Sequence, residues 1–71
     1  MDILSTKIIS KNIKKYREKA GITQDNLARK ADIPFSTYQK IEGGFTPNPS
    51  IQTLLNIANA LGVKVDDLIR K

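Results

Sequence analysis

The chain has 71 residues with no cysteine and no histidine, and its 12 lysine and arginine residues outnumber seven acidic residues, giving a net charge of +5. This length fits one small domain, so we predict a single domain over residues 1–71. The composition excludes disulfides, cysteine or histidine zinc sites and histidine-based triads, and we expect no enzyme, no metal and no cofactor. No apolar run reaches the roughly 20 residues of a membrane span, so we expect a cytoplasmic protein without a membrane partner.

The positive charge is concentrated in the first part of the sequence. Residues 1–30 carry eight basic and three acidic side chains, whereas residues 31–71 carry four of each. An excess of positive charge favours a polyanionic partner, although a basic surface that only keeps a protein in solution is a common alternative.

The first predicted helix covers residues 5–20. Its apolar residues recur at intervals of three and four, which defines one face of an amphipathic helix, and they are Ile9, Ile13, Tyr16 and Ala20. Gly21 offers the left-handed conformation that commonly ends a helix. Thr23 is a suitable N-cap and Asp25 suits the positive end of a second helix, which is predicted over residues 24–31.

Proline and glycine separate the remaining helices. Pro34 interrupts the second pattern and begins a short third helix over residues 35–42, which a pair of glycines ends. Ser50 is a cap for a fourth helix over residues 50–61, and a last helix is predicted over residues 65–70. Because no segment alternates with the period of two that is typical of a strand, the predicted fold class is all-α, with five short helices.

Two short helices joined by a tight turn, at residues 24–31 and 35–42, suggest a helix-turn-helix. From residue 9 to residue 69 the sequence resembles the lambda-repressor-like, or XRE-type, helix-turn-helix family. The residues that carry the resemblance, in the family's order, are Ile13, Arg17, Gly21, Ile22, Thr23, Gln24, Leu27, Ala28, Ile33, Tyr38, Ile41, Glu42, Gly44, Pro49, Leu54, Ile57, Ala58, Ala60, Leu61, Gly62 and Val63. The resemblance implies a compact five-helix DNA-binding domain whose third helix enters the major groove while the second lies against the DNA backbone.

The resemblance also implies a set of DNA contacts. The expected base contacts lie on the outward face of the third helix and are Phe35, Ser36, Gln39 and Lys40, with Gln39 suited to adenine and Lys40 to guanine or a phosphate. The expected phosphate contacts are Thr23, Gln24, Gly43, Gly44 and Thr46, where the glycine amides act as neutral donors because their loop lacks lysine and arginine. The alternatives are an ordinary solvated helix face and, at residues 23 and 24, simple helix capping.

Two further expectations concern the frame that holds the recognition helix. The resemblance implies an ion pair between Arg17 and Glu42, and the alternative is two separately solvated charges. The family often has glycine at the position of Asp32, and we expect aspartate to keep the turn because it tolerates left-handed backbone.

The implied function is sequence-specific regulation of transcription, with a repressor acting as a homodimer on a palindromic operator in double-stranded DNA. The expected dimer contact is apolar surface at Val63, Val65 and Ile69, and the alternative is that these residues only complete the core. The alternative function is an antitoxin-like module that binds a partner protein, with or without DNA binding. The neutral second part of the chain and an exposed Phe35 would fit that function.

Overall fold

Five helices and no strand are present in the residues that the computed structural model describes, 6–45 and 49–70. Helix α1 spans Thr6–Ala20, α2 spans Gln24–Lys30, α3 spans Phe35–Glu42, α4 spans Ile51–Leu61 and α5 spans Val65–Ile69. The predicted all-α class with five short helices is therefore confirmed. Residue 5, the predicted start of the first helix, lies outside the described residues.

The turn between α2 and α3 accounts for one difference from the predicted bounds. The second helix ends at Lys30 rather than at residue 31, because Ala31 is already its C-cap. Asp32 follows with a φ of 58°, so it adopts the left-handed backbone that was expected of it. The chain then passes through Pro34, the N-cap of α3, whose fixed φ suits the start of a helix.

The last two helices also begin or end one residue inside the predicted bounds. The hydroxyl of Ser50 accepts the Thr53 N–H at 3.1 Å, so Ser50 caps α4 and the helix itself begins at Ile51. Gly62 ends α4 with a φ of 73°, a conformation that glycine adopts without a steric penalty. α5 ends at residue 69 because Arg70 has extended backbone, with a ψ of 144°.

One apolar core lies among the helices, and every helix contributes to it. α1 packs against α3, α4 and α5, while α2 packs against α3 and α4. The buried apolar residues are Ile9, Ile13, Leu27, Ala28, Ala31, Tyr38, Ile41, Leu54, Ile57, Ala58 and Leu68. Because each large side chain among them stabilises the fold by about 1.5–3 kcal/mol, this core fixes how α2 and α3 sit on the rest of the chain.

Asn12 joins the first helix to the last. Its side-chain amide donates to the carbonyl of Leu68 at 3.0 Å and to the carbonyl of Arg70 at 2.6 Å. These carbonyls stand at the end of α5, where no further turn of helix is available to satisfy them. None of the helices in the described ranges is long and apolar enough to cross a membrane.

Candidate DNA interface

Helix α3 presents a polar face to solvent. Its Tyr38, Ile41 and Glu42 are buried, whereas Ser36, Gln39 and Lys40 are exposed and Phe35, at the margin, is 42% exposed. The structure thus brings all four expected base-contacting residues to the outer surface of one short helix.

Thr37 shares this outward face, although the sequence analysis left it out. It is exposed in the structure. On a helix with 3.6 residues per turn, Ser36 and Lys40 point away from the side of Tyr38 and Ile41, and Thr37 flanks them. The same helical phasing could have identified it from the sequence.

Glu42 is the centre of a hydrogen-bonded network at the end of α3. Its side chain is only 4% exposed, and both carboxylate oxygens are satisfied. Arg17 Nε donates to Oε1 at 2.7 Å and Arg17 Nη2 donates to Oε2 at 3.3 Å, so the guanidinium holds the carboxylate with two nitrogens. The Tyr38 hydroxyl donates to Oε1 at 2.5 Å, and Gln24 Nε2 donates to Oε2 at 2.6 Å.

This network links three helices and a turn. Arg17 belongs to α1, Gln24 is the first residue of α2, and Tyr38 and Glu42 lie one turn apart on α3. Arg17 Nη1 also donates to the carbonyl of Ile22 at 2.8 Å, which fixes the segment between α1 and α2. The network therefore sets the position of α3 relative to α2.

The pKa values of the network follow from this geometry. Burial alone would raise the pKa of Glu42, but hydrogen bonds from Arg17, Tyr38 and Gln24 outweigh burial and lower it. The pKa of Arg17 is raised, chiefly by its hydrogen bond to Glu42. The pKa of Tyr38 is raised by burial and then by its hydrogen bond to Glu42. At neutral pH the network therefore consists of a carboxylate, a guanidinium cation and a neutral phenol.

The two residues expected to contact phosphate at the start of α2 have different surroundings. Thr23 is the N-cap of α2, and its Oγ1 accepts the Asn26 N–H at 3.1 Å. Because that oxygen acts as an acceptor, the hydroxyl proton of the exposed Thr23 stays available as a donor. Gln24 is half-buried and does not simply point outward, since one hydrogen of its amide is committed to Glu42.

The amides of Gly43 and Gly44, which were expected to donate to phosphate, already donate to carbonyls within the chain. The Gly43 amide donates to the carbonyl of Gln39 at 2.9 Å, and the Gly44 amide donates to that of Ile41 at 3.1 Å. Both amides close the last turn of α3, so they are not free donors. Thr46, the remaining residue expected to contact phosphate, lies outside the described residues.

The apolar residues expected to form a dimer contact pack against the chain's own core. Val63, Val65 and Ile69 are each half-buried and lie against the buried cluster. This packing supports the alternative interpretation, in which these residues complete the core.

The basic surface lies mainly on α1. Five of its lysines are exposed, and they are Lys7, Lys11, Lys14, Lys15 and Lys19. The salt bridges in the described part of the chain all involve arginine: Arg17 with Glu42, Arg29 with Asp25, and Arg70 with Asp66 and Asp67. In that same part of the chain, no group of three or more acidic side chains is placed to hold a metal ion.

Comparisons with known proteins identify the family. Residues 13–68 match a family model described as "Helix-turn-helix". The uncharacterized HTH-type transcriptional regulator YqaE of Bacillus subtilis (strain 168) is 38% identical over 63 residues, which cover 89% of this chain and 53% of the relative. The HTH-type transcriptional regulator SinR of Bacillus licheniformis is 36% identical over 64 residues, covering 90% of this chain and 58% of the relative.

A solved structure, titled "SINR PROTEIN/SINI PROTEIN COMPLEX", superimposes with a TM-score of 0.85 at 36% identity, covering 89% of this chain and 61% of the other. The chain therefore spans a little over half the length of these curated relatives. Because they are named as transcriptional regulators, the prediction that the chain is not an enzyme is confirmed. The chain belongs to the XRE-type, lambda-repressor-like helix-turn-helix family, with α2 and α3 as its helix-turn-helix.

Proposed function

We propose that this chain is a sequence-specific DNA-binding regulator of transcription that inserts α3 into the major groove of double-stranded DNA. The observation that carries this proposal is the exposed polar face of α3, held in a fixed orientation by the network around Glu42. A short α-helix fits the roughly 12 Å width of the major groove and can present its side chains to base edges.

The side chains on α3 have the chemistry for base recognition. The amide of Gln39 can donate from its nitrogen to N7 of adenine while its oxygen accepts from the adenine N6 amine, and Lys40 can donate to guanine. Ser36 and Thr37 can donate or accept a hydrogen bond. Phe35, exposed at the margin of the face, is suited to the methyl group of thymine.

The start of α2 supplies contacts to the DNA backbone in this proposal. The Thr23 hydroxyl and the second amide hydrogen of Gln24 are the donors to phosphate. Gln24 would then join a phosphate to the carboxylate network of Glu42, so that correct docking of the backbone and correct placement of α3 depend on one side chain.

We further propose that the regulator acts as a homodimer on a palindromic operator and represses transcription. A single module of this size buries only about 600–1,000 Å² against DNA, so one copy binds weakly. Two copies related by a two-fold axis read half-sites about 34–36 Å apart and bind more tightly. A dimer on an operator that overlaps a promoter would exclude the polymerase. Because bacterial DNA lies in the cytoplasm, we expect this regulator to act there.

A second candidate function is binding to a partner protein. It is favoured by the solved structure of the relative SinR, whose title describes a complex with SinI protein. Binding a protein and binding DNA are compatible, since a partner that covers or separates the DNA-binding chains would control their occupancy of an operator.

The test of DNA recognition is selection of binding sites from a random duplex pool, followed by the Gln39→Ala variant. This variant should lose about 1–3 kcal/mol on the selected site and should accept other base pairs at one position. Retention of both affinity and selected sequence by Gln39→Ala would contradict the assignment of α3 as the recognition surface.

A further inference from the structure

Helix α4 has an exposed face that is more apolar than its position at the surface requires. Ile51 is 61% exposed and Leu55 is 40% exposed, although both are large apolar residues. They lie one turn apart along the flank of α4 that adjoins its core-facing side, where Leu54 and Ala58 are buried. Gln52 and Asn59 are also exposed beside them. We call these four residues, Ile51, Gln52, Leu55 and Asn59, the α4 face.

The α4 face lies in a part of the chain without charge. From Gly43 to Val63 the sequence contains no Asp, Glu, Lys or Arg, whereas 27% of the whole chain is charged. Because the face has no lysine or arginine, it is unsuited to DNA phosphates. Because it also has no acidic residue, it does not attract a charged protein surface of either sign.

An uncharged face is instead suited to a second copy of the same chain. In a two-fold contact each residue meets the same surface on its partner, so any charge near the axis would repel itself. Two chains of net charge +5 repel each other least where their facing surfaces are neutral. The amide of Asn59 fits this arrangement, because an amide carries both donors and an acceptor and can pair with its own copy. The Gln52 amide donates one hydrogen to Asn56 Oδ1 at 2.9 Å and keeps its other hydrogen and its oxygen for a partner.

We propose that the α4 face is the surface through which two copies of this chain bind each other, with the two α4 helices crossing about a two-fold axis. Ile51, Leu55 and Asn59 are spaced four residues apart and form one ridge, which packs into the matching groove of another helix. This inference deepens the proposed homodimer, and it replaces the contact expected at the core-packed Val63, Val65 and Ile69.

The size of the contact determines how strong the dimer is. Two large apolar side chains per copy give an interface at the small end of the range, below about 1,200 Å² in total, where complexes are weak and transient. Binding to adjacent half-sites brings the copies together and raises their effective concentration, so the contact is expected to act mainly as cooperativity on DNA.

Disulfide cross-linking tests the contact without DNA, and the absence of cysteine from the chain makes the test specific. Leu55→Cys places a thiol beside the proposed axis, and Phe35→Cys is the matched control because the two side chains are almost equally exposed, at 40% and 42%. At equal protein and oxidant concentrations, Leu55→Cys should form covalent dimers at least tenfold faster. Equal rates of dimer formation by the two variants would overturn the inference and would favour a different protein as the partner of the α4 face.

A charge-exchange experiment provides a second, independent test. Leu55→Lys and Leu55→Glu should each weaken self-association in sedimentation equilibrium, because like charges then face each other across the axis. An equimolar mixture of the two variants should associate more strongly than either alone. Since the side chain is exposed, both variants should keep the unfolding midpoint close to that of the unsubstituted chain. A mixture that associates no better than the separate variants would overturn the inference.

DNA binding separates this inference from the proposed function. Leu55→Lys should keep the affinity for a single half-site and lose at least tenfold in affinity for the full operator. Full retention of cooperative binding by this variant would overturn the α4 contact while leaving DNA recognition intact. Conversely, a failure of the unsubstituted chain to bind any duplex would refute the proposed function, and the cross-linking rates would still decide the α4 contact.

Discussion

At the scale of single residues, Glu42 is the group on which the orientation of α3 depends most. It is a nearly buried carboxylate that accepts four hydrogen bonds from three side chains, and no buried side-chain polar atom in the described residues lacks a partner. Desolvation offsets much of the electrostatic gain of such a pair, so its main effect is on orientation. Here the orientation concerns α3, the proposed recognition helix.

Removing one member of the ion pair should therefore cost more than removing both. Arg17→Met alone or Glu42→Gln alone should lower the free energy of unfolding by about 2–4 kcal/mol, because the remaining group is left buried without its partner. The double variant should recover part of that loss, which a denaturant-unfolding cycle would measure as a non-additive term.

The exposed pair of Arg29 and Asp25, whose Nε and Oδ2 atoms are 3.2 Å apart, is the matched control for this cycle. Arg29→Met and Asp25→Asn should each change the free energy of unfolding by less than about 1 kcal/mol. Comparable effects in the two cycles would mean that the burial of the Arg17–Glu42 pair has no energetic consequence.

The lowered pKa of Glu42 predicts how stability depends on pH. The group binds a proton less readily in the folded chain than in the unfolded one, where its pKa is about 4.3, so its contribution is fully present above that pH. As the pH falls through the folded-state pKa, the contribution disappears. Unfolding free energies measured between pH 7 and pH 3 should fall more steeply for the unsubstituted chain than for Glu42→Gln, and parallel curves would contradict this account.

At the scale of elements, the turn between α2 and α3 contains backbone strain that a single substitution can relieve. Asp32 is the only non-glycine residue with positive φ in the described ranges. Asp32→Gly should raise the free energy of unfolding by up to about 1 kcal/mol, because glycine adopts this conformation freely. In Asp25→Gly the same substitution falls within helical backbone and should be destabilising by about 0.5–1 kcal/mol. Urea unfolding of both variants checks the opposite signs, and two destabilised variants would refute the strain at Asp32.

The elements themselves could be predicted from the sequence because their signals are local. The spacing of Ile9 and Ile13, the cap at Ser50 and the left-handed end at Gly62 each depend on a few neighbouring residues. Helix bounds were therefore wrong by at most one residue where the structure describes them. The exact ends depend on single hydrogen bonds, such as the capping bond at Ser50.

Parts of the candidate site could not be predicted because they depend on how separate helices meet. The amide of Gln24 bonds to Glu42 across 18 residues of sequence, and no local pattern marks that pairing. Tyr38 is buried in the core, and its hydroxyl meets the same carboxylate only in the folded chain. Likewise, no local pattern showed that the amides of Gly43 and Gly44, predicted as phosphate donors, already donate to carbonyls in the last turn of α3.

At the scale of the whole molecule, charge is separated from the proposed dimer contact. Most exposed lysines lie on α1, with others at Lys30, Lys40 and Lys64, whereas the segment from Gly43 to Val63 is uncharged. Separation of this kind lets DNA affinity depend on salt without the same dependence in self-association.

The salt dependence of DNA binding should report which cations approach the duplex. A plot of the logarithm of the binding constant against the logarithm of salt concentration should be steep and negative, because neutralised phosphates release counterions. Lys40→Gln should reduce the magnitude of this slope by about 1. Lys64→Gln removes an equal charge at the N-cap of α5 and should leave the slope unchanged. Equal slopes for the two variants would place Lys40 away from DNA, and a flat plot for the unsubstituted chain would favour the protein-binding function.

The bonds that Asn12 donates to Leu68 and Arg70 span 56 and 58 residues, which has a consequence for the order of events during synthesis. The ribosome delivers α1 first and α5 after the other four helices, so the carbonyls that Asn12 satisfies do not exist while the rest of the core is being made. Until they emerge, the side of α1 that packs on α5 stays open to water. A nascent chain at that stage leaves part of α1 uncovered, and this helix gains its contacts with α5 only after residue 70 has left the ribosome.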